Sequence, residues 1–233
     1  MGEVAERLRQ VQRRVADACR RGGRNPEDVQ LVCVSKTVDA ARIRAAHTAG
    51  ARLFGENYGQ DLRDKAQELA DLDGLTWHFI GPLQRNKVRY VVGTAALIHS
   101  VHSPELLQAI DDRAGRGGLV QDYLIQLNLA GEATKSGIAA ADLEAMLDLA
   151  RRLRHSRCVG LMTMPPFFDQ PERARAYFGE LRALRDRASV PSPGRPEVDL
   201  RHLSMGMTGD FEVAIEEGAT LVRVGTAIFG ERG

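Results

Sequence analysis

Apolar residues recur at Val4, Leu8, Val11, Val15 and Ala18, the i, i+4, i+7 stepping that turns one face of an amphipathic helix toward a core. Gly22-Gly23 ends that pattern, so the chain opens on a helix. After Pro26 the period changes. L-V-C-V-S at 31–35 is a short continuous apolar run rich in β-branched residues, as in a strand covered on both faces. Asp39 then stands where a helix needs an N-cap, and Gly50 where it closes. The alternation continues with strand-like runs at 52–55, 76–80, 96–99, 122–129, 158–163, 200–204 and 221–225. Between them lie helical patterns at 62–70, 86–92, 104–114, 141–153, 171–188 and 210–216. Eight strands, each of the first seven followed by a helix, predict an α/β fold: a single (β/α)8 TIM-type barrel with an extra N-terminal helix, one domain over residues 1–233. An open doubly wound sheet is the competing architecture. S-V-P-S-P-G-R-P at 189–196 is too short to separate domains and predicts a surface loop.

Composition narrows the partners. With 32 Lys plus Arg against 31 Asp plus Glu, the net charge of +1 supplies no bulk field for nucleic acid or an anionic membrane. Three distant cysteines, Cys19, Cys33 and Cys158, form no C-x-x-C pair, which argues against a disulfide framework or zinc site and suits a reducing cytosol. Charges from Glu3 onward and the lack of an 18-residue apolar run predict neither a standard export signal nor a membrane span. The expectation is a cytoplasmic monomer with no metal, nucleic-acid or membrane partner.

Charge chemistry then singles out particular positions. Of the 32 cationic side chains only four are lysines, Lys36, Lys65, Lys87 and Lys135, and only lysine readily becomes a neutral amine nucleophile. Lys36 ends the first strand on the face of Val32 and Val34. It is either an amine snorkelling to water or, at the C-terminal mouth of a barrel where catalytic groups sit, an imine-forming lysine. S-M-G-M-T-G-D at 204–210 and V-G-T at 224–226 follow strands seven and eight, where barrels bind phosphate. Their small residues admit an anion to the backbone, and Ser204, Thr208 and Thr226 offer hydroxyl donors; ordinary turn glycines are the alternative. Asp210 is expected to cap the next helix. Arg223, mid-strand, either faces the far side of a bound phosphorylated aldehyde or pairs with a glutamate such as Glu56. H-x-x-H at 99–102 has strand parity against a metal site.

V-S-K-T at 34–37, F-G-E-N-Y at 54–58, W-H-F-I-G-P-L-Q-R-N-K at 77–87, K-S-G-I at 135–138, G-L-M-T-M at 160–164, L-S-M-G-M-T-G-D-F at 203–211 and V-R-V-G-T-A-I-F-G at 222–230 resemble, in order and spacing, the pyridoxal phosphate homeostasis protein family. The resemblance implies a barrel like the N-terminal domain of alanine racemases, carrying pyridoxal 5′-phosphate as an imine on Lys36. It implies Asn57 near the cofactor ring, and Ser204, Gly206, Gly225 and Thr226 around the phosphate with Met207 among the cofactor contacts. The same resemblance implies that Arg223 faces the pyridine nitrogen. V-D-A at 38–40 is a looser version of the family's segment, and Arg201-His202 is unfamiliar.

The family is taken to buffer and deliver the cofactor in vitamin B6 homeostasis, with PLP-dependent apo-enzymes as recipients. No residue is assigned a catalytic role. Alanine racemases take a second base from another domain, and a barrel that consumes 233 residues leaves no room for it. An arginine cannot protonate the ring, which weakens the electron sink. A PLP-dependent racemase and a cofactor-free imine-forming aldolase are the rival functions. Lys135 is either a second cofactor contact or a surface residue.

Overall fold

The opening periodicity becomes α1 (Glu3–Arg21), whose Leu8, Val11, Val15, Ala18 and Cys19 are buried. The computed structural model describes residues 2–132, 136–190 and 198–230. Eight parallel strands follow, β1 (Gln30–Val34), β2 (Leu53–Glu56), β3 (Thr76–Phe79), β4 (Leu97–Val101), β5 (Gln121–Leu127), β6 (Ser156–Thr163), β7 (His202–Met207) and β8 (Leu221–Val224). They hydrogen-bond in sequence order into a closed barrel, with β1 pairing to β8 through Val32↔Arg223. The open-sheet alternative is thereby excluded. Around the barrel run α2 (Ala40–Thr48), α3 (Gly59–Glu68), α4 (Val88–Val91), α5 (Pro104–Arg116), α6 (Leu143–Ala150), α7 (Arg175–Ala188), α8 (Phe211–Glu216) and α9 (Thr226–Phe229).

Alternation sets what faces inward. Val32, Leu97, Leu124, Val159, Met162 and Leu221 form a small cluster inside the barrel, distinct from the larger apolar layer under the helices. Period 2 from these residues points His99, Gln126, Ser204 and Arg223 inward and Glu56 outward. Asp39 caps α2 as expected, its Oδ1 accepting from the Arg42 amide at 2.8 Å. Asp210 does not cap in the same way. It stands at the start of α8, but its Oδ1 accepts from the Met207 amide at 2.6 Å in the preceding turn.

Two boundaries differ in ways that matter. The expected helices at 86–92 and 171–188 begin as 3-10 turns, Arg85–Lys87 and Pro171–Ala174. Strand seven, expected to end at Ser204, runs on to Met207, so most of S-M-G-M is strand. The expected loop at 189–196 falls largely outside the described residues.

Candidate ligand-binding site

The C-terminal ends of the strands open onto a cavity of about 660 Å³. Half-buried Lys36 lines it, two residues beyond the end of β1. Asn57 joins it from the end of β2, Arg223 from β8, Met207 from the end of β7, and Thr208, Gly209 and Asp210 from the β7–α8 loop. Gly225 and Thr226 complete that side, and Gln126 and Ser136 come from the region of β5. Val34, Ile80, Met164, Pro165, Pro166 and Phe168 supply apolar walls. Residues from both chain halves thus converge because parallel strands of similar length end at one face.

Glycines let the backbones meet there. A Cβ on Gly81 would lie 2.2 Å from the Asn57 carbonyl oxygen, so the loop after β3 can rest on Asn57 only without a side chain. A Cβ on Gly225 would stand 3.2 Å from Val34 Cβ, leaving little room between β8 and β1. Gly209 faces open space.

The structure divides the expected phosphate contacts. Thr226 and Thr208 both line the cavity, and the Thr226 hydroxyl donates to Thr208 Oγ1 at 3.2 Å. Ser204 lies beneath the cavity, fully buried, and is engaged from both sides: the Arg223 guanidinium donates to its Oγ, and His99 Nδ1 is 2.8 Å away. Gly206 is also buried, and a Cβ there would come 2.6 Å from Ala214 Cβ, so the lack of a side chain lets α8 pack against β7. Of the expected contacts, Lys36, Asn57, Met207, Arg223, Gly225 and Thr226 meet in the cavity; the Ser204 side chain and Gly206 do not.

Arg223 is 4% exposed and also donates to the Thr163 carbonyl at 3.2 Å. Burial pushes its pKa down to about 10, which leaves it charged at neutral pH. Glu56, its suggested partner, faces the other way and pairs with Lys65 at 2.8 Å. A guanidinium only donates, so Ser204 Oγ accepts from it and its hydroxyl donates a hydrogen bond to His99 Nδ1. His99 then carries its proton on Nε2 and donates to His78 Nδ1, 2.9 Å away. Burial lowers both imidazoles, His78 to about 3 and His99 well below the usual range, so both are neutral. Burial raises the Asp210 carboxyl at the cavity's edge.

Sequence reasoning missed Gln126, Ser136 and the His78–His99–Ser204 chain. Gln126 was detectable: it is two residues past the inward Leu124 on β5. His99 and His102 do not converge, since His102 Nδ1 meets the Ser100 carbonyl at 2.9 Å. Among the described residues no group of three or more His, Cys, Asp or Glu is placed to hold a metal, and no helix is long and apolar enough to cross a membrane. Lys135 lies outside the described residues.

The donor set suits a flat phosphorylated aldehyde. An amine, a buried guanidinium able only to donate, two hydroxyls beside glycines and apolar walls can meet a carbonyl, a ring acceptor, a phosphate and ring faces.

Comparison with known proteins agrees. The chain matches the family described as alanine racemase, N-terminal domain, over residues 7–233. It is 46% identical over 229 residues to a pyridoxal phosphate homeostasis protein of Aquifex aeolicus (strain VF5), covering 98% of each chain. To the protein of that name in Escherichia coli (strain K12) it is 38% identical over 238 residues, covering 100% of this chain and 98% of that one. Among solved structures it resembles PipY of Synechococcus elongatus PCC7942 with PLP bound, at a TM-score of 0.83 and 38% identity over 98% of this chain and 100% of that chain.

Proposed function

The chain belongs to the pyridoxal phosphate homeostasis protein family, and from that premise we propose that it binds pyridoxal 5′-phosphate in the cavity at the barrel mouth and serves intracellular vitamin B6 homeostasis. The observation that carries this is the meeting of Lys36, Arg223, Thr208 and Thr226 in one cavity. Lys36 Nζ supplies the amine for an imine to the aldehyde. Thr208 and Thr226, with the backbone at Gly209 and Gly225, take the phosphate. Arg223 donates to the pyridine nitrogen, and Asn57 and Met207 border the ring. The three cysteines, buried and unpaired, suit a reducing cytoplasm. We take the protein to act there as a monomer that hands the cofactor to PLP-dependent apo-enzymes.

The same geometry favours holding over turnover. Bound pyridoxal phosphate stabilises negative charge at the Cα of an amino acid, most strongly when its ring nitrogen is protonated. Arg223 gives that nitrogen a hydrogen bond and no proton. A racemase remains the second hypothesis because the matching family description is that of a racemase domain. Deuterium incorporation at Cα of alanine in heavy water separates the two. Exchange at enzyme-like rates that disappears in Lys36→Ala would defeat the carrier role.

The binding assignment is tested by the visible spectrum of the purified protein before and after borohydride. A yellow band that borohydride bleaches, with the adduct mapped to Lys36 and the band absent in Lys36→Ala, is the expected result. An adduct on Lys65, Lys87 or Lys135 with Lys36 unmodified overturns it.

A further inference from the structure

Lys36 stands on a turn that backbone sterics disfavour. The Val38 amide donates to the Ser35 carbonyl at 3.0 Å, closing a turn with Lys36 and Thr37 at its centre. Thr37 has φ +62°, the one positive φ of a non-glycine residue among the described residues. For a β-branched side chain the left-handed region is strongly crowded, and such a conformation persists only where the surroundings over-determine it.

Those surroundings are a buried charge pair centred on Ser35. Glu56, the last residue of β2, is fully buried, and its Oε1 accepts from Ser35 Oγ at 2.7 Å and from Lys65 Nζ at 2.8 Å. Lys65, seven residues into α3, also donates to the Ser35 carbonyl at 2.8 Å. The carbonyl that closes the turn is therefore held from a second side, and the hydroxyl of the same residue is held by Glu56. Glu56 Oε2 is buried with no hydrogen-bond partner among the described residues. A buried pair left partly unsatisfied is a poor source of stability, because desolvation offsets its attraction; what it specifies well is geometry. A compact ammonium with three donors suits two acceptors 2.8 Å away, where a planar guanidinium fork does not.

We propose that Lys65, acting through Glu56 and Ser35, is a positioning residue that keeps the 35–38 turn in its left-handed form and so fixes where Lys36 stands in the cavity. The inference rests on pyridoxal phosphate binding at Lys36 and adds a second lysine to that site in a role that touches no ligand.

The test is cofactor uptake by the full-length protein, read from the visible band on titration with pyridoxal phosphate and from borohydride trapping on Lys36. Replacing both charges together, Glu56→Gln with Lys65→Met, strands neither one. It should weaken uptake about tenfold, the scale of a lost left-handed turn. Adding Thr37→Gly should recover most of the loss, since glycine takes positive φ at little cost. General damage to the fold would not be repaired by that change. Ser35→Ala is the milder variant, which removes one hydroxyl and leaves the charges paired. It should cost about threefold, again with recovery on Thr37→Gly. Lys65→Arg should behave like the double variant. Unchanged uptake in the double variant or in Ser35→Ala overturns the proposal, as does a loss that Thr37→Gly leaves in place. Wild-type protein that takes up nothing on Lys36 overturns the binding assignment and this inference together, which distinguishes the two failures.

Discussion

Two hydroxyls four residues apart, Ser204 and Thr208, have opposite surroundings. Thr208 lines the cavity with its Oγ1 accepting from Thr226, whereas Ser204 is sealed between His99 and Arg223. Thr208→Val should therefore weaken pyridoxal phosphate binding about tenfold by removing a hydrogen bond to a charged group, with the unfolding free energy unchanged. Ser204→Ala should do the reverse. It deprives a buried guanidinium of one acceptor and should cost about 2–3 kcal/mol of stability before any effect on the ligand. Spectral titration and urea unfolding of both variants check this. A Ser204→Ala protein of normal stability and lost affinity would return Ser204 to the phosphate.

Elements show the same division between what local pattern dictates and what the closed barrel adds. Helix α1 is set by its period, and fully buried Leu8 anchors it, so Leu8→Ala should cost about 3 kcal/mol in urea unfolding through the cavity it leaves. An unchanged midpoint would mean α1 is not docked as described. The strands were legible because parallel strands covered on both faces must be apolar runs, and the catalogue of eight follows directly. Strand β7 was cut short because Gly206 reads as turn punctuation. In the barrel it takes φ +90° where the register between β7 and β8 shifts, from Ser204↔Leu221 to Met207↔Arg223. A glycine within a strand marks such a bulge as readily as it marks a loop. That misplaced end assigned Ser204 to the anion loop, while the residue-level pattern had already included Thr208. Pairings across the barrel were not legible. His99 meets Ser204 across 105 positions of sequence and Lys65 meets Ser35 across 30, distances at which no local periodicity speaks.

At the scale of the whole molecule, the described residues place one buried cation inside the barrel, Arg223, joined through Ser204 to an imidazole pair, His99 and His78, that must remain neutral. A proton on His99 would set a second charge beside Arg223 and take away the acceptor that Ser204 uses. The folded protein therefore resists protonation, with His78 lowered to about 3 and His99 well below the usual range, burial being the main cause in both. In the unfolded chain these residues titrate near 6.5. Between those values the unfolded state binds more protons than the folded state, so stability is full above pH 6.5 and falls as the pH drops toward 3. His78 alone should account for about 2 kcal/mol between pH 7 and pH 5. His99 and His202, also lowered by burial, add to the fall, and Asp210, whose carboxyl burial raises, contributes with the opposite sign, so the wild-type slope mixes several groups. His78→Gln isolates the imidazole, because an amide oxygen can still accept from His99 Nε2 and does not titrate. Urea unfolding of the cofactor-free proteins at pH 7 and pH 5 should show the variant losing about 2 kcal/mol less than the wild type. Equal losses would mean that His78 is not held neutral inside the barrel, and the proton order assigned along His78, His99 and Ser204 would fail with it.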